Sequence, residues 1–548
     1  VVNSISSEEP AMLDQALAIA AALPAALFLA AGLVPAAIAD RRPRVMRSAV
    51  VGLAIVAVVA AALTAALLTA VGPVDRTFWT APGPLPLNVG VFVDPLTAVM
   101  LLLVSFIGLV ITRFAARALA GEPRQGRFVA WLSLTLGAVL LLVVSRNLVM
   151  FTAAWMLTSF GLHHLLEHYP DRPWAVWAAR KKFLISRLGD AFLLAAVGLT
   201  LWCFGSSDYA MIFARADELR RSGGPIEPWL AAVGILFVLG AMTKSAQFPF
   251  HSWLPDTMEA PTPVSALMHA GIINAGGFLV IRLSPLVSLS HVALDLLALV
   301  GAFTALFGGL VMLTQTSIKR ALAFSTIAQM GFMMLQCGLG AFTAALLHIV
   351  AHSLYKAHAF LASGSVLDVA ATMKVKAAAP AGLVRPLAAL PVAAGIAGAA
   401  TLGTLAAFGI DPAVKPGGLV LAAVMGIALT TLVWQALLSG SRRVSLAGVA
   451  AALGVGLAYA AAYVGFDRLL VSAAVAHGAG PASVLDVAVA VIVVVGFLGV
   501  FAIQAAGMTL ARLPLVRSLY VHAANGLYCD IPARRITARV WGLTTPVP

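Results

Sequence analysis

The chain has 548 residues, of which 61% are hydrophobic and only 10% charged. Soluble proteins carry about 25% charged residues, so this deficit excludes a disordered chain and argues against a soluble globular enzyme. The charges that exist are lopsided, with 35 Lys+Arg against 22 Asp+Glu. In a soluble protein that excess would point to nucleic acid. In a polytopic membrane protein it reads as positive loops on the cytoplasmic side, so no nucleic-acid partner is expected.

A bilayer-spanning helix needs about 20 apolar residues, and irregular backbone facing lipid would leave polar groups unsatisfied. In chain order the apolar runs predict helices over 15–39, 48–71, 94–119, 128–144, 147–167, 183–205, 229–250, 263–284, 290–314, 317–338, 340–365, 386–409, 417–439, 444–465 and 484–507. Within 128–167 only Ser145-Arg146-Asn147 separates two apolar runs. The expected fold class is an all-α polytopic membrane protein with about 13–15 transmembrane helices and no soluble domain. The longest polar stretches are 206–228, 366–385 and the tail after 508. The opening VVNSISSEEP has no basic region before its first apolar run, so no cleaved signal peptide is expected. Cys203, Cys337 and Cys529 stand far apart and suggest neither a disulfide framework nor a metal motif.

Sorting the loops alternately gathers the basic clusters on one side. These are Arg41 to Arg47, Arg113 to Arg127, Arg172 to Lys182, Lys319 and Arg320, Lys374 to Arg385, Arg442 and Arg443, and the tail arginines from Arg512 to Arg539. The other side keeps only scattered Arg76, Arg146, Arg215, Arg220, Arg221, Arg282, Lys415 and Arg468. The positive-inside rule then predicts an outer N-terminus and a cytoplasmic tail, in the cell (inner) membrane.

Three bases fall inside predicted spans: Arg187, Lys244 and Lys356. An intramembrane charge is costly and marks a functional site by default. Lys244 sits in the run Gly240 to Pro249, followed by Pro255, Pro261 and Pro263. Burial favours the neutral form of an amine, which equips a lysine to exchange protons near neutral pH. The alternative is a snorkelling or ion-paired structural lysine. Clustered prolines break a helix, and broken helices at membrane depth mark ion pathways. His269 follows the break and is a relay candidate or a core histidine; His251 is a weaker one. Asp256 and Glu259 read as solvent-facing. His348, His352 and Lys356 follow an i, i+4, i+8 spacing and share one helical face over about 12 Å. That suits a chain of proton-hopping groups or a structural polar seam, and not a zinc site. His358 is off this face. Arg187 and Asp190 are spaced to pair on one helix, or to act on a nearby lysine. His163, His164 and Glu167 close the fifth span and read as a solvated end. No motif for covalent catalysis is present.

These residues resemble a known family. Asp94-Pro95-Leu96, Gly126-Arg127-Phe128, Arg187-Leu188-Gly189-Asp190, Lys244-Ser245-Ala246-Gln247, Trp253-Leu254-Pro255-Asp256 and Pro261 through Ala270 are similar to the chain-5 antiporter-like subunit of respiratory complex I. So are Gln315 through Arg320, Ala323-Phe324-Ser325-Thr326 and His348 through Ser365. The same superfamily includes Mrp cation/proton antiporters, membrane-bound hydrogenase subunits and the membrane subunit of the DAB inorganic-carbon pump. The resemblance implies two inverted five-helix repeats containing broken helices, and a hydrated line of Lys, His and Glu. By it, Lys244 is the central lysine of the first repeat and His269 passes protons toward the second. His348, His352 and Lys356 correspond to the broken helix of the second repeat.

Three departures stand out. The family's Trp-Glu reads Trp155-Met156, so the carboxylate partner of the lysine is missing, with Asp190 or Glu167 as stand-ins. Residues 386–409 hold no ionisable group where the family has a lysine. The stretch after 507 is short for the family's lateral helix and anchoring span. The tail from Tyr520 to Asp530 resembles DabB-like proteins, shorter relatives that pair with a large cytoplasmic carbonic-anhydrase-like zinc subunit. The sequence thus divides into N-terminal helices (1–93), an antiporter-like core (94–370), divergent helices (371–507) and a basic, aromatic tail (508–548). The expectation is a proton- or sodium-translocating subunit of an inorganic-carbon pump rather than a stand-alone enzyme. No cofactor is expected in this chain, and zinc belongs to the partner. Two rivals stay open: an Mrp, hydrogenase or complex I subunit, and a non-conducting membrane anchor for a cytoplasmic enzyme.

Overall fold

The computed structural model describes residues 2–81, 88–222, 227–364, 384–415, 417–476, 484–510 and 513–542. The predicted loop cluster Lys374 and Lys376, the boundary at 370 and Arg512 lie outside the described residues. In chain order the elements are α1 (Val2–Gly32), α2 (Ala36–Arg41), α3 (Pro43–Val71), the antiparallel hairpin β1 (Val74–Thr80) and β2 (Asn88–Val93), α4 (Pro95–Ala118), α5 (Gln125–Val144) and α6 (Leu148–Leu166). Then come α7 (Pro173–Phe204), α8 (Tyr209–Ser222), α9 (Pro228–Lys244), two 3-10 turns over Phe250–Trp253 and Pro255–Glu259, α10 (Thr262–Ala270) and α11 (Ala275–Arg282). They are followed by α12 (Ser284–Val287), α13 (His291–Met312), α14 (Ile318–Gly338), α15 (Phe342–Leu361), α16 (Val384–Ala407), α17 (Gly418–Leu438), α18 (Arg442–Leu470), α19 (Val484–Leu510), α20 (Pro514–Ala524) and α21 (Ile531–Trp541).

Every predicted apolar run contains helix, although the run 229–250 leaves the helix after Lys244 and the run 263–284 is interrupted at Gly271 to Asn274. Among the described residues 13 helices are long and apolar enough to cross a membrane. The short split at Ser145-Arg146-Asn147 is real because Asn147 caps α6, its side chain accepting from the Met150 amide at 2.8 Å. Ile55, Val59 and Leu63 of α3, and Val487, Val491 and Val495 of α19, are exposed. Water would not tolerate such faces, whereas lipid does.

Loop contacts sort into two faces, as the alternate-loop reading requires. On the hairpin face Arg146 bonds both Asp75 and Asp208, Arg220 bonds the Pro285 carbonyl, and Lys415 bonds Asp467. On the opposite, tail face Asp40 accepts from the Arg127 amide, Tyr169 donates to Glu122 and Arg172 meets Glu259.

The structure corrects four placements. The polar stretch 206–228 contains α8, which buries Tyr209, Ile212, Phe213 and Ala216. Arg180, Lys181 and Lys182 are not loop residues: Pro173 starts α7 earlier than the apolar run suggests, and Lys181 and Lys182 are buried. Arg282 is not in a loop either, and is wholly buried at the end of α11. Asp256 is not solvent-facing, since its carboxylate receives Lys181 at 2.9 Å.

Arg282 holds the hairpin face together. It grips Asp94 in a two-pronged ion pair at 2.8 and 2.9 Å and donates to Thr97 at 2.6 Å. Asp94 also caps α4 and accepts from the Ala474 amide, so one buried pair joins α4, α11 and the turn after α18. Breaking a buried pair by removing one partner costs about 3–5 kcal/mol. Asp94→Ala is expected to lower the detergent-solubilised midpoint of unfolding and the membrane level of the chain, both measurable by fluorescence-detected gel filtration after heating.

The tail is clasped to the opposite face. Lys181 bonds the Ser252 carbonyl, Asp256 and Asp530, and Asp530 in turn accepts from Arg534 at 2.6 Å. Burial pushes the Asp530 carboxyl up, but Lys181 and Arg534 outweigh it and hold it below the usual carboxylate range. Its contribution is therefore present above the unfolded aspartate value of about 3.9 and lost as pH falls through the lower folded value. Limited proteolysis should find α21 protected from pH 8 down to about pH 4. Asp530→Asn should release it at neutral pH, because Lys181 loses one of its two counter-charges.

Candidate functional site

Lys244 is the last residue of α9 rather than a mid-helix residue. The chain then leaves the helix through Ser245, Ala246 at positive φ and the cis Phe248–Pro249 bond into the 3-10 turns. The ammonium sits on α6. It donates to the Trp155 carbonyl at 3.1 Å, Thr158 Oγ1 at 2.6 Å and Ser159 Oγ at 2.8 Å, and lies 4.4 Å from the Trp155 ring centre. All three ammonium protons thus have acceptors, and none is a carboxylate. Trp155, Thr158 and Ser159 share a face of α6 through i, i+3, i+4 spacing. Met156 is one step round that helix and only half-buried. The cradle beside Met156 is made of Thr158, Ser159 and a backbone carbonyl, which carry no charge that would mark them in sequence.

A second buried lysine shares this cradle. Lys182 donates to the Ser159 carbonyl at 2.7 Å. Lys182, Lys244, Ser186, Trp253 and Ile272 line one small cavity. Asp190 is buried on α7, forms its ion pair with Arg187 at 2.6 Å, and its charge acts on both lysines. The predicted Arg187–Asp190 pairing is therefore present. Gly189 makes the approach of α7 to α9 close: a Cβ there would lie 2.1 Å from Thr243 Oγ1.

The break after α10 builds the second half. Gly271 to Asn274 interrupt the helix, so backbone carbonyls lose their helical partners. Neighbouring side chains replace them. His352 Nε2 meets the His269 carbonyl at 3.1 Å, Asn274 donates to the Ala270 carbonyl at 3.0 Å, and Ser245 donates to the Ile273 carbonyl at 2.6 Å. His269 is fully buried, stacks on Phe360 and meets Thr326 Oγ1 at 3.1 Å through Nδ1, while its Nε2 has no partner. His352 Nδ1 meets Gln329 Oε1 at 2.7 Å and His348 Nδ1 meets Gln336 Oε1 at 3.0 Å. Lys356 donates to Ser325 Oγ at 2.8 Å and the Leu322 carbonyl at 3.3 Å. The shared face of His348, His352 and Lys356 is confirmed, but their helix is not broken: α15 runs continuously from Phe342 to Leu361. The glutamines and hydroxyls of α14 that hold them went unnoticed in sequence, although Ser325, Gln329 and Gln336 recur at helical spacing.

The other candidates lie apart. His163 meets the Ala179 carbonyl and Glu167 at the tail-face end of α6, and Glu167 makes no contact with Lys244. His251 is buried between Phe248 and Phe307, beside the Ser252 carbonyl that Lys181 holds. Among the described residues no group of three His, Cys, Asp or Glu is placed to hold a metal ion.

The Gly189 contact is testable. Gly189→Ala is expected to cost about 1–3 kcal/mol through overpacking, and adding Thr243→Ala should return part of it, a coupling that a double-mutant thermal-unfolding cycle measures.

The family of NADH:quinone oxidoreductase and Mrp antiporter transmembrane subunits matches residues 145–411, and that of the complex I chain 5 N-terminus matches residues 79–129. The chain is 42% identical over 469 residues to "Probable inorganic carbon transporter subunit DabB2" of Halothiobacillus neapolitanus, covering 84% of this chain and 83% of that protein. It is 43% identical over 283 residues to the DabB protein of Hydrogenovibrio crunogenus, covering 52% of this chain and 54% of that one. It is 40% identical to NAD(P)H-quinone oxidoreductase chain 5 of Synechocystis over 53% of this chain and 43% of that one. In structure it is similar to the Mrp complex from Dietzia sp. DQ12-45-1b, with TM-score 0.61 and 25% identity over 94% of this chain and 61% of that one.

Proposed function

The chain belongs to the antiporter-like family of membrane ion-translocating subunits, and from that premise we propose that it carries protons for an energy-coupled inorganic-carbon pump. The observation that supports proton carriage is the set of buried bases held by neutral acceptors. Lys244 on α6, His269 and His352 at the helix break, and Lys356 on α14 each rest on hydroxyls, amides or carbonyls. Such groups hold a base in place without fixing its proton. Lys244 is the central carrier of the first half. His269 connects to the second, because its carbonyl is the acceptor for His352. Among the described residues no hydrogen bond joins Lys244 to His269, so exchange across Gly271 to Asn274 requires a side-chain movement or a water. Asp190 replaces the family's missing carboxylate at a distance, through its field rather than by a bond. Glu167 does not.

The inorganic-carbon assignment rests on the relatives named DabB. It implies a cytoplasmic zinc-containing partner, a cytoplasmic tail and an outer N-terminus, with the basic tail face toward that partner. Affinity purification with metal analysis tests it. A stoichiometric zinc protein supports the carbon pump, and iron–sulfur or flavin subunits overturn it in favour of a redox complex. Lys244→Ala, at normal membrane level, is expected to abolish growth in air of a carbonic-anhydrase-deficient host that depends on the complex. Full growth would show that the chain serves as an anchor without conducting.

A further inference from the structure

The cradle on α6 holds one lysine more than the proposed path uses. Ser159 is touched by two buried ammonium groups, Lys244 at its hydroxyl and Lys182 at its carbonyl. Both lysines line the same cavity with Ser186 and Ile272. The other charged or titratable groups that bear on the pair are Arg187 and Asp190 of α7 and His163 of α6. Asp190, the one carboxylate among these, is already paired with Arg187 at 2.6 Å. Neither lysine has a carboxylate at ion-pair distance among the described residues. Two uncompensated ammonium groups on one residue, away from water, repel strongly. One ammonium and one neutral amine do not.

We propose that Lys182 is a second proton-carrying amine of this site, and that Lys182 and Lys244 share a single proton across Ser159. The transfer breaks an N–H bond on one ammonium and forms one on the other, neutral amine, so the charge of the site is unchanged. The flexible lysine stem supplies the movement, since each amine can swing into the cavity that both line. Lys182 sits nearer the start of α7, on the side of the tail clasp formed by its neighbour Lys181. It therefore connects Lys244 toward the tail face, where Glu167 and His163 lie, and not toward the helix break.

This inference rests on the reading that the chain carries protons, and two measurements keep the two apart. In the first, the purified complex is reconstituted in liposomes containing a pH-sensitive dye and given a pH step. Lys182→Met and Lys182→Arg should both cut proton flux at least about tenfold at normal protein level, which corresponds to 1.4 kcal/mol or more in the barrier. Arginine keeps the charge and donates to the Ser159 carbonyl but does not give up its proton. Wild-type flux with Lys182→Arg overturns the proposal and leaves Lys182 a structural donor. No flux from the wild type overturns the proton-carrying reading instead. The second measurement needs no transport: 15Nζ-lysine NMR of the intact chain in nanodiscs, with signals assigned by their loss in Lys182→Met and Lys244→Met. A shared proton predicts that Lys182→Met moves the Lys244 titration by about one pH unit or more. A Lys244 titration indifferent to Lys182→Met overturns the sharing.

Discussion

A charge inside hydrocarbon has to be given partners by the protein, and most of the arrangement around α6 follows from that. Lys244 reaches three acceptors on one face of a neighbouring helix because α9 stops at Lys244 and its side chain projects from the helix end. The carbonyl end of a helix is also its negative pole, which favours a cation there. The stop in turn exposes backbone between Ser245 and Pro261. That stretch is irregular backbone, which within hydrocarbon is tolerated only where protein or a cavity surrounds it. The surroundings are present: α7 with Lys181 holds the Ser252 carbonyl, and the tail closes over it through Asp530. One buried cation thus explains a helix end, an irregular segment and the docking site of a tail distant in sequence.

The second interruption follows the same rule with the roles reversed. At Gly271 to Asn274 it is the backbone that needs partners and the side chains that supply them. Ser245, from the segment just after Lys244, donates to Ile273, while His352 from α15 meets the carbonyl of His269. The break is therefore where elements of the first polar cluster touch elements of the second. A continuous helix there would keep these carbonyls in its own ladder and leave the two clusters unconnected.

The spans were legible in the sequence because hydropathy over a helix length is a strong signal, and the two-faced sorting of basic loops was legible because it sums over many residues. Lys244, His269 and the i, i+4, i+8 set stood out because charge within an apolar run is rare. What hid was anything decided by a start position or by tertiary contact. Pro173 is a helix-start signal, yet the basic residues behind it read as a loop, so Lys181 and Lys182 were assigned to water. Arg282 looked like a loop base because its partner, Asp94, is far away in sequence. The acceptors Thr158, Ser159, Ser325 and Gln329 carry no charge and no motif, and only packing shows that they face a lysine or a histidine.

The cations within the helix bundle divide by the kind of partner they have. Arg282 has Asp94, Arg187 has Asp190, and Lys181 has Asp256 and Asp530. Lys182, Lys244 and Lys356 rest on carbonyls and hydroxyls. The distinction is a physical one. A lysine bonded to a buried carboxylate cannot lose its proton without stranding an anion in low dielectric, which costs several kcal/mol. An arginine does not lose its proton at all. A lysine held by neutral acceptors leaves nothing uncompensated when it becomes neutral, and its hydroxyl neighbours can turn to donate to the bare amine. The first set is built to stay charged and fix the fold; the second is built so that a proton can leave.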